Sequence, residues 1–293
     1  MGLRLKFNLV LLLVFAIGLG VTGYISYELL HRNARDEVLR NAGVMMEAAL
    51  SARSYTNTQI RPLIPYNDEV FHPQSVPAYS ATEIMSALRK KYADYSYKEA
   101  TLNPTNPRNR AVEWESDIVM AFRNDPERGE ISGVRDTPTG QSLYLARPFQ
   151  IKDKACLNCH TTAAEAPAAM VKIYGPNNGF GWKHMEVIGA QVVSVPMALP
   201  VRNANRAFYT FMVSLSVVFL ALFVILNVMM SLLIVRPIRR MSAAADKIST
   251  GAVNDGDIAE FSETGKDEVA VLGKSFNRMR RSLAKAIDMI DKA

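Results

Sequence analysis

The 293-residue sequence predicts an α+β protein in which two membrane-spanning helices flank a domain of helices and antiparallel strands, and a helical coiled coil follows. Two apolar runs without any charge, Phe7–Tyr27 and Phe208–Val235, each reach the roughly 20 residues that cross a bilayer. Helical periodicity and then short, turn-bounded, β-like runs occur between them. Apolar residues with coiled-coil spacing follow the second run. The expected segments are an anchor, a mixed domain, a second span and a paired-helix domain, at residues 1–30, 31–207, 208–235 and 236–290.

The first apolar run is expected to remain in the protein as an anchor. It is longer than the roughly 7–15-residue apolar core of a secretory signal peptide, and Tyr24–Leu30 offers no clear small-x-small cleavage site. Positive residues flank both spans, so charge alone does not orient them in the membrane. The flanking residues are Arg4, Lys6, Arg32, Arg35, Arg236, Arg239 and Arg240.

The mixed domain is expected to begin with three helices. The Arg61-Pro62 step ends the first, the capping-box pattern of Ser80–Glu83 begins the second, and Pro107 suits the first position of the third. The predicted helices are His31–Ile60, Ser80–Lys91 and Pro107–Phe122. Three strands are then predicted, at Gly129–Asp136, Gln141–Ile151 and Glu186–Val195. These elements indicate an antiparallel sheet with flanking helices.

The segment Cys156–His160 follows the second predicted strand and carries the clearest chemistry. Two thiols followed by an imidazole at this spacing are typical of covalent haem attachment, in which the thiols form thioethers and the His binds the iron. Cys156 and Cys159 are the only cysteines in the chain. A redox dithiol would not need the adjacent His, and a zinc site would need a fourth ligand that no second Cys pair supplies. The motif predicts one covalently bound haem c, with His160 as the proximal iron ligand.

Four further runs accompany this haem-attachment motif. They are Tyr97–Glu115, which contains Asn-Pro-Thr-Asn-Pro, then Tyr174-Gly175, Gly179–Trp182 and Ile188–Gln191. Together with the motif they resemble the bacterial periplasmic c-type-haem sensor domain, over nearly all of residues 50–200. The resemblance implies a PAS-like fold, a single haem packed between sheet and helices, and a role in sensing redox state or a small ligand. In one branch of that family a Cys on the long helix is the second axial ligand, and this chain has no spare Cys.

The second axial ligand must therefore come from elsewhere. His72, in a segment between prolines, is a candidate, and an open or water-bound position is an equal alternative. His31 is expected at the membrane edge and His184 in a loop, so neither is favoured. Arg53 and Tyr55 are expected on the long helix near the distal side, where either would hydrogen-bond a diatomic ligand, although ordinary surface roles are the simpler interpretation. Methionines on apolar helical faces are expected to pack in the core. These are Met45, Met46 and Met85.

After the second span, apolar residues recur with three-four spacing in two segments joined by a polar connector, Thr250–Lys266. The seam positions are Ile238, Met241, Ala245, Ile248, Val269, Leu272, Phe276, Met279, Leu283, Ala286 and Ile290. With Pro237 near the first helix start and Asp267-Glu268-Val269 opening the second, the pattern resembles the HAMP signalling module. That module forms a parallel four-helix bundle from two chains, so the resemblance implies a homodimer. The alternative is a single amphipathic hairpin on the membrane surface.

Covalent haem is attached to such proteins outside the bacterial cytoplasmic membrane. Residues 31–207 are therefore expected in the periplasm and both termini in the cytoplasm. The net charge of +6 is attributed to the membrane flanks, because no basic run is interleaved with aromatic residues as nucleic-acid binding would require.

Two functions agree with these expectations. The resemblances favour a membrane-anchored haem sensor of redox state or a small ligand that signals through the HAMP helices. Because no kinase, cyclase or methyl-accepting domain follows Ile290, the output is expected to act on a separate signalling protein in trans. The alternative is a membrane-anchored c-type cytochrome for periplasmic electron transfer. No catalytic constellation is readable in the sequence, so an enzyme is not expected.

Overall fold

The computed structural model describes residues 2–64, 69–125, 127–250, 260–261 and 265–291, and the chain forms two compact units. One unit consists of Ser26–Phe208, and the other consists of Met1–Ile25 with Tyr209–Ala293. The α-helices are α1 Leu3–Tyr55, α2 Pro77–Arg89, α3 Glu113–Asn124, α4 Leu157–His160, α5 Ala168–Tyr174, α6 Ala198–Met229, α7 Arg236–Ser249 and α8 Glu268–Asp291. Shorter turns are the π-helical Thr56–Ile60 and Met230–Val235 and the 3-10 segments Arg61–Leu63, Pro73–Ser75, Pro107–Asn109 and Lys154–Cys156.

A four-stranded antiparallel sheet forms the centre of the Ser26–Phe208 unit. Its strands are β1 Ser96–Thr101, β2 Ile131–Thr137, β3 Gly140–Gln150 and β4 Val187–Pro196, in the order β1-β4-β3-β2. Val193 of β4 lies between Tyr97 of β1 and Leu145 of β3. This mixture of helices and antiparallel strands confirms the coarse fold class that the sequence predicts.

The sheet is covered by helices on both faces, because residues along its central strands alternate between two apolar cores. Leu145 and Val193 pack with the stripe that Val38, Ala42 and Met46 form along α1. On the other face, Ala100, Ala146, Ala190 and Val192 pack with Ile118, Val119 and Phe122 of α3. Full burial of such an aliphatic or aromatic side chain contributes about 1.5–3 kcal/mol to stability. The α1 helix is therefore attached to the sheet along several turns.

The predicted helix His31–Ile60 is confirmed, as α1 followed by a π-helical turn. The predicted start of the second helix at Ser80 is wrong. The α2 helix begins at Pro77, whose fixed φ suits a first helical position and whose missing N–H costs nothing there.

The predicted third helix is also interrupted. Pro107 begins a separate 3-10 turn, and α3 begins only at Glu113. The Glu115 carboxylate accepts the Val112 N–H at 3.0 Å and so caps α3 at this later point. The three predicted strands are confirmed to within two residues, and β1 is an additional strand.

The second unit contains the apolar spans. The helices that carry them are long and apolar enough to cross a membrane, and most of their apolar side chains are exposed rather than buried in a core. Phe15 stacks on Phe219 with ring centroids 4.8 Å apart. Two further helices, α7 and α8, follow Met230–Val235. Most of the predicted connector and the side chain of Ile290 lie outside the described residues.

Candidate haem-binding site

A cavity of about 380 Å³ lies in the Ser26–Phe208 unit, between the end of α1, the edge of the sheet and the segment after β3. Its volume lies in the range of ordinary ligand and cofactor sites, about 300–1,000 Å³. Apolar walls come from Phe71, Pro77, Phe149, Ile151, Met170 and Trp182. Polar and charged walls come from Arg53, Asn57, Arg61, Glu99, Arg108 and Lys152. Cys156, Cys159 and His160 all line this same space.

The haem-attachment motif forms one short helical turn. Asp153 begins it, because its carboxylate accepts the Ala155 N–H at 2.8 Å. The spacing of three residues then places Cys156 and Cys159 on the same side of the turn. Burial raises the pKa of both thiols, while the Arg61 guanidinium acts in the opposite direction.

The His160 ring is held in one orientation by a stacking contact and by two contacts at Nδ1, one of them with the Thr105 hydroxyl oxygen at 3.4 Å. It stacks on Trp182 with centroids 3.9 Å apart and planes at 17°. Its Nδ1 lies 2.7 Å from the Gly179 carbonyl oxygen, which only accepts hydrogen bonds, so Nδ1 carries the proton and Nε2 keeps its lone pair. Burial lowers the pKa of His160, although the bond to Gly179 opposes this. A neutral imidazole with Nε2 unprotonated is the form that binds iron.

The Asn-Pro-Thr-Asn-Pro segment supports this carbonyl from outside the motif. The Asn103 side chain accepts the Gly179 N–H at 3.2 Å and donates to the Phe180 carbonyl at 3.3 Å. Gly179 has a φ of +83°, and a Cβ there would lie 2.0 Å from the Thr105 hydroxyl oxygen. Only glycine therefore fits between Thr105 and the His160 ring.

A buried ion pair forms part of the cavity wall formed by α1 and β1. Arg53 Nη1 lies 2.5 Å from both carboxylate oxygens of Glu99, which is 1% exposed. The Tyr97 hydroxyl donates to Glu99 Oε1 at 2.8 Å. Arg53 also lies over the Phe149 ring, 4.6 Å from its centroid. Burial is the largest influence on Arg53 and lowers its pKa, but Glu99, Tyr97 and Cys156 together raise the pKa above its usual value.

Two more arginines line the cavity. Arg61 donates to Asn57 at 3.2 Å and to the Ala155 carbonyl at 3.4 Å, which joins the end of α1 to the haem-attachment turn. Arg108 donates to Glu83 at 2.6 Å and lies over the Tyr79 ring at 5.1 Å. Guanidinium groups are the side chains best suited to bind carboxylates in two-pronged geometry.

Comparison with known proteins assigns the chain. Residues 31–196, more than half of the sequence, match the Tll0287-like family. The chain belongs to the Tll0287-like family. This family's haem-binding sensor domain is followed by a HAMP domain over residues 229–285, which confirms both resemblances.

One solved structure is also similar, the crystal structure of the cyanobacterial heme-protein Tll0287. It has a TM-score of 0.43 and 14% sequence identity, and the alignment covers 55% of this chain and 95% of that chain. No curated protein sequence matches.

The residues of the Tll0287-like domain fit a haem. The cavity combines apolar walls for a porphyrin, one imidazole with a proton-free Nε2, two thiols within three residues of each other, and arginines for the two propionates. Porphyrin nitrogens supply the remaining iron ligands, so a single protein imidazole is sufficient on one side.

The other sequence candidates lie at different distances from this cavity. Arg53 lines it, whereas Tyr55 is 60% exposed. His72 is exposed, although its neighbours Phe71 and Pro73 line the cavity. His31 contacts the Tyr27 carbonyl at 3.0 Å, and His184 contacts the Lys152 carbonyl at 3.2 Å. The methionines expected in the core pack there, namely Met45, Met46 and Met85.

Sequence reasoning gave no role to several site residues. Asn103, Thr105 and Gly179 belong to the runs that carried the family resemblance, but turn signals alone do not reveal what the turns support. Glu99 lies in the same runs, but nothing local marked it as part of an ion pair, and Met170 had no signal at all. Met170 is buried on α5 beside Cys159, in a small apolar cluster.

Proposed function

We propose that this protein is a membrane-anchored haem-based sensor of redox state or a small ligand that signals through its HAMP domain. One observation carries the proposal: α1 is a single helix, Leu3–Tyr55, that contains an apolar span and also supplies Arg53 to the cavity wall. A second helix, α6 Ala198–Met229, leads along the chain from the haem domain into the signalling domain at residues 229–285. An electron carrier needs neither part. No catalytic role is proposed for any residue.

The cofactor is proposed to be one covalently attached haem c. Cys156 and Cys159 would form the thioethers, and His160 would bind the iron through Nε2. When bound, haem supplies an iron whose charge and axial ligands change with redox state or ligand. The thiols line the cavity that the imidazole faces, which supports this assignment.

Covalent attachment is tested by haem staining on a denaturing gel, after expression with a cytochrome c maturation system. The wild-type chain should stain, because thioethers survive denaturation, and Cys156→Ser/Cys159→Ser should not. Staining of the double variant at the wild-type level would exclude the assignment. His160→Ala should keep the stain but shift the Soret band and spin state, whereas an unchanged spectrum would mean that another residue binds the iron.

The distal side is proposed to be open or water-bound. The exposed position of His72 gives it less support than the sequence did, and His72→Ala tests it directly. An unchanged spectrum is expected. A change to a five-coordinate spectrum in that variant would instead identify His72 as the sixth ligand. Carbon monoxide should bind the ferrous wild-type protein rapidly if the position is open.

The arrangement in the membrane is also proposed. The domain boundaries stay those of the sequence: an anchor at 1–30, a haem domain of PAS-like fold at 31–207, a second span at 208–235 and the HAMP helices at 236–290. The haem domain would lie in the periplasm and both termini in the cytoplasm of a bacterium.

A homodimer is proposed through the HAMP helices. Within one chain, α8 buries Phe276 and Asn277, while Leu272, Met279 and Leu283 remain 50%, 60% and 46% exposed. These three apolar positions follow a spacing of seven and four residues, so they form a stripe along α8. Such a stripe suits a second copy of the same helix, as in a four-helix bundle.

The sensor function is tested by cross-linking. A single Cys at Leu272, treated with a thiol cross-linker that does not depend on redox chemistry, should give dimers in membranes. The yield should differ between reduced and oxidised haem, because the two states must favour different bundle packings if a signal passes. Equal yields with haem bound would favour the anchored electron carrier. Absence of any dimer would exclude the paired HAMP bundle. A separate signalling protein acting in trans remains part of the proposal.

A further inference from the structure

The ion pair between Arg53 and Glu99 is unusual in its placement. Both side chains line the cavity, yet one belongs to α1 and the other to β1. The Tyr97 hydroxyl takes up a further lone pair of the carboxylate, and the Phe149 ring covers the guanidinium. Burial raises the pKa of Tyr97, and Glu99 acts in the same direction, so the hydroxyl stays a donor.

A contribution to folding stability is a weak explanation for the presence of such a buried ion pair. The desolvation of two buried charges often cancels their attraction, and apolar replacements of buried pairs are frequently neutral or stabilising. A second ion pair already joins α1 to the sheet at a more exposed place, where Arg147 of β3 donates to Glu47 at 2.6 Å. The Arg53–Glu99 pair differs from it by facing the cavity.

Opposite charges beside a redox centre respond oppositely to its oxidation. A ferric iron carries one more positive charge than a ferrous iron, so a guanidinium nearby is repelled more strongly and a carboxylate is attracted more strongly. Because the pair is largely buried, solvent ions screen these forces only weakly. Arg53 lies on α1 and Glu99 lies on β1. Oxidation of the iron would therefore push α1 away from the iron and draw β1 toward it.

We infer that the Arg53–Glu99 pair positions α1 according to the charge of the haem iron and, in return, sets the reduction potential of that iron. This inference rests on the proposed haem site. Reduction of the iron is a one-electron step, and a small redox mediator supplies the electron. No covalent bond of Arg53 or Glu99 forms or breaks in this step. If the charge of the iron affects the position of α1, the position of α1 must affect the reduction potential, because one coupling free energy links the two.

The test is a mediated redox titration of the haem-loaded full chain in detergent. Arg53→Gln leaves the Glu99 carboxylate unbalanced, so it should stabilise ferric iron and shift the midpoint potential to lower values. Glu99→Gln leaves the guanidinium unbalanced and should shift the potential upward. Arg53→Gln/Glu99→Gln should return toward the wild-type value. Loss of packing alone would shift both single variants in the same direction, so that result, or no shift in either, would overturn the inference.

Matched controls come from the second ion pair. Arg147→Gln and Glu47→Gln make the same changes of charge between α1 and the sheet outside the cavity, and they should shift the potential less. Arg53→Lys keeps the charge but loses the two-oxygen contact, so its potential should lie closer to wild type than that of Arg53→Gln. If Arg53→Gln does not fold with haem, the inference is still tested by the sign of the change in midpoint potential in Glu99→Gln and by the midpoint potential of Arg53→Lys.

The failure of this inference differs from failure of the proposed function. A wild-type chain that binds no haem would remove the function and the inference together. A wild-type chain with covalent haem and a redox-dependent cross-link at Leu272, but with potentials indifferent to Arg53 and Glu99, would remove only the inference. In the supporting case the cross-linking difference at Leu272 should diminish in the double variant.

Discussion

His160 is oriented by the Gly179 carbonyl, and Asn103, 76 residues before Gly179, bonds the Gly179 N–H and the Phe180 carbonyl on either side of it. The ring stacks on Trp182, and its Nδ1 contacts the Gly179 carbonyl oxygen at 2.7 Å and the Thr105 hydroxyl oxygen at 3.4 Å. Hydrogen bonds of this outer kind fix the tautomer and direction of a metal-binding histidine. Changes at Asn103 should therefore reach the iron without touching it.

Asn103→Ala removes the two bonds that hold the Gly179–Phe180 backbone. The unfolding free energy should fall by about 1–3 kcal/mol, since each of the two hydrogen bonds contributes about 0.5–1.5 kcal/mol. A looser carbonyl would also weaken the proposed imidazole–iron bond, so the high-spin fraction in the optical and electron paramagnetic resonance spectra should rise. Asn106→Ala is the matched control, because Asn106 in the same run bonds only locally, to the Arg108 N–H. Equal spectra for the two variants would contradict the role of Asn103.

A second test at this scale uses two glycines of one loop. Gly179 and Gly181 have φ values of +83° and +79°, but an added Cβ meets Thr105 only at Gly179. Gly181→Ala should cost about 1 kcal/mol of backbone strain. Gly179→Ala should cost more, on the order of 3 kcal/mol, because the clash includes the Thr105 backbone and adds to that strain. Chemical denaturation measures both, and equal losses would show that Thr105 does not confine the loop.

At the scale of elements, the sequence predicted those that have a local signal. Apolar periodicity and an Arg-Pro stop were enough for α1, and alternation between turns was enough for β2, β3 and β4. The β1 strand had no such signal, because its central residues Lys98 and Glu99 are charged. Their partners lie far away in sequence: Lys98 donates to Glu115 on α3 at 2.6 Å, and Glu99 binds Arg53 on α1.

The same contrast between local signals and contacts that are distant in sequence holds for the candidate haem-binding site. The grouping of two thiols and an imidazole within five residues is a local pattern that the sequence displays directly, and haem attachment at that pattern stays a prediction. The groups that hold His160 and line the cavity were not predictable from spacing, since they meet only when α1, β1 and three loops come together. The start of α3 was misplaced for a related reason: a proline allows a helix start, but the cap supplied by Glu115 determines it.

An element-scale prediction concerns the connector of the HAMP domain. Asn277 on α8 bonds both backbone groups of Phe261, donating to its carbonyl at 2.8 Å and accepting its N–H at 3.1 Å. The Phe261 ring meets the Phe276 ring edge to face, with centroids 5.4 Å apart. Asn277 is buried, so Asn277→Ala leaves two backbone groups without these bonds and should destabilise this segment by about 2–3 kcal/mol.

Limited proteolysis of the membrane-embedded chain measures this loss. Cleavage in the connector should become faster in Asn277→Ala, because release of Phe261 precedes access by the protease. The neighbouring Arg278 is exposed, so Arg278→Ala is the control for a substitution on the same helix turn, and its cleavage rate should match wild type. Unchanged cleavage in Asn277→Ala would mean that the connector is held by other contacts.

At the scale of the whole molecule, the charges that flank the two spans do not determine the orientation of the chain in the membrane. Arg4 and Lys6 precede the first span and Arg32 and Arg35 follow it, so the positive residues balance there. Arg202 and Arg206 precede the second span and Arg236, Arg239 and Arg240 follow it, so charge flanks this span on both sides as well. Covalent haem on residues 156–160 would require the periplasmic side for the intervening domain.

Thiol labelling in intact cells measures this directly. Ser132→Cys puts an exposed thiol on β2, and Lys274→Cys puts one on α8. A maleimide that crosses the outer but not the inner membrane should label the first in intact cells and the second only after lysis. The wild-type chain is the control, because covalent haem would consume both of its thiols and it should then remain unlabelled in either case. Labelling of Lys274→Cys in intact cells, with Ser132→Cys protected, would reverse the orientation and exclude a periplasmic haem domain.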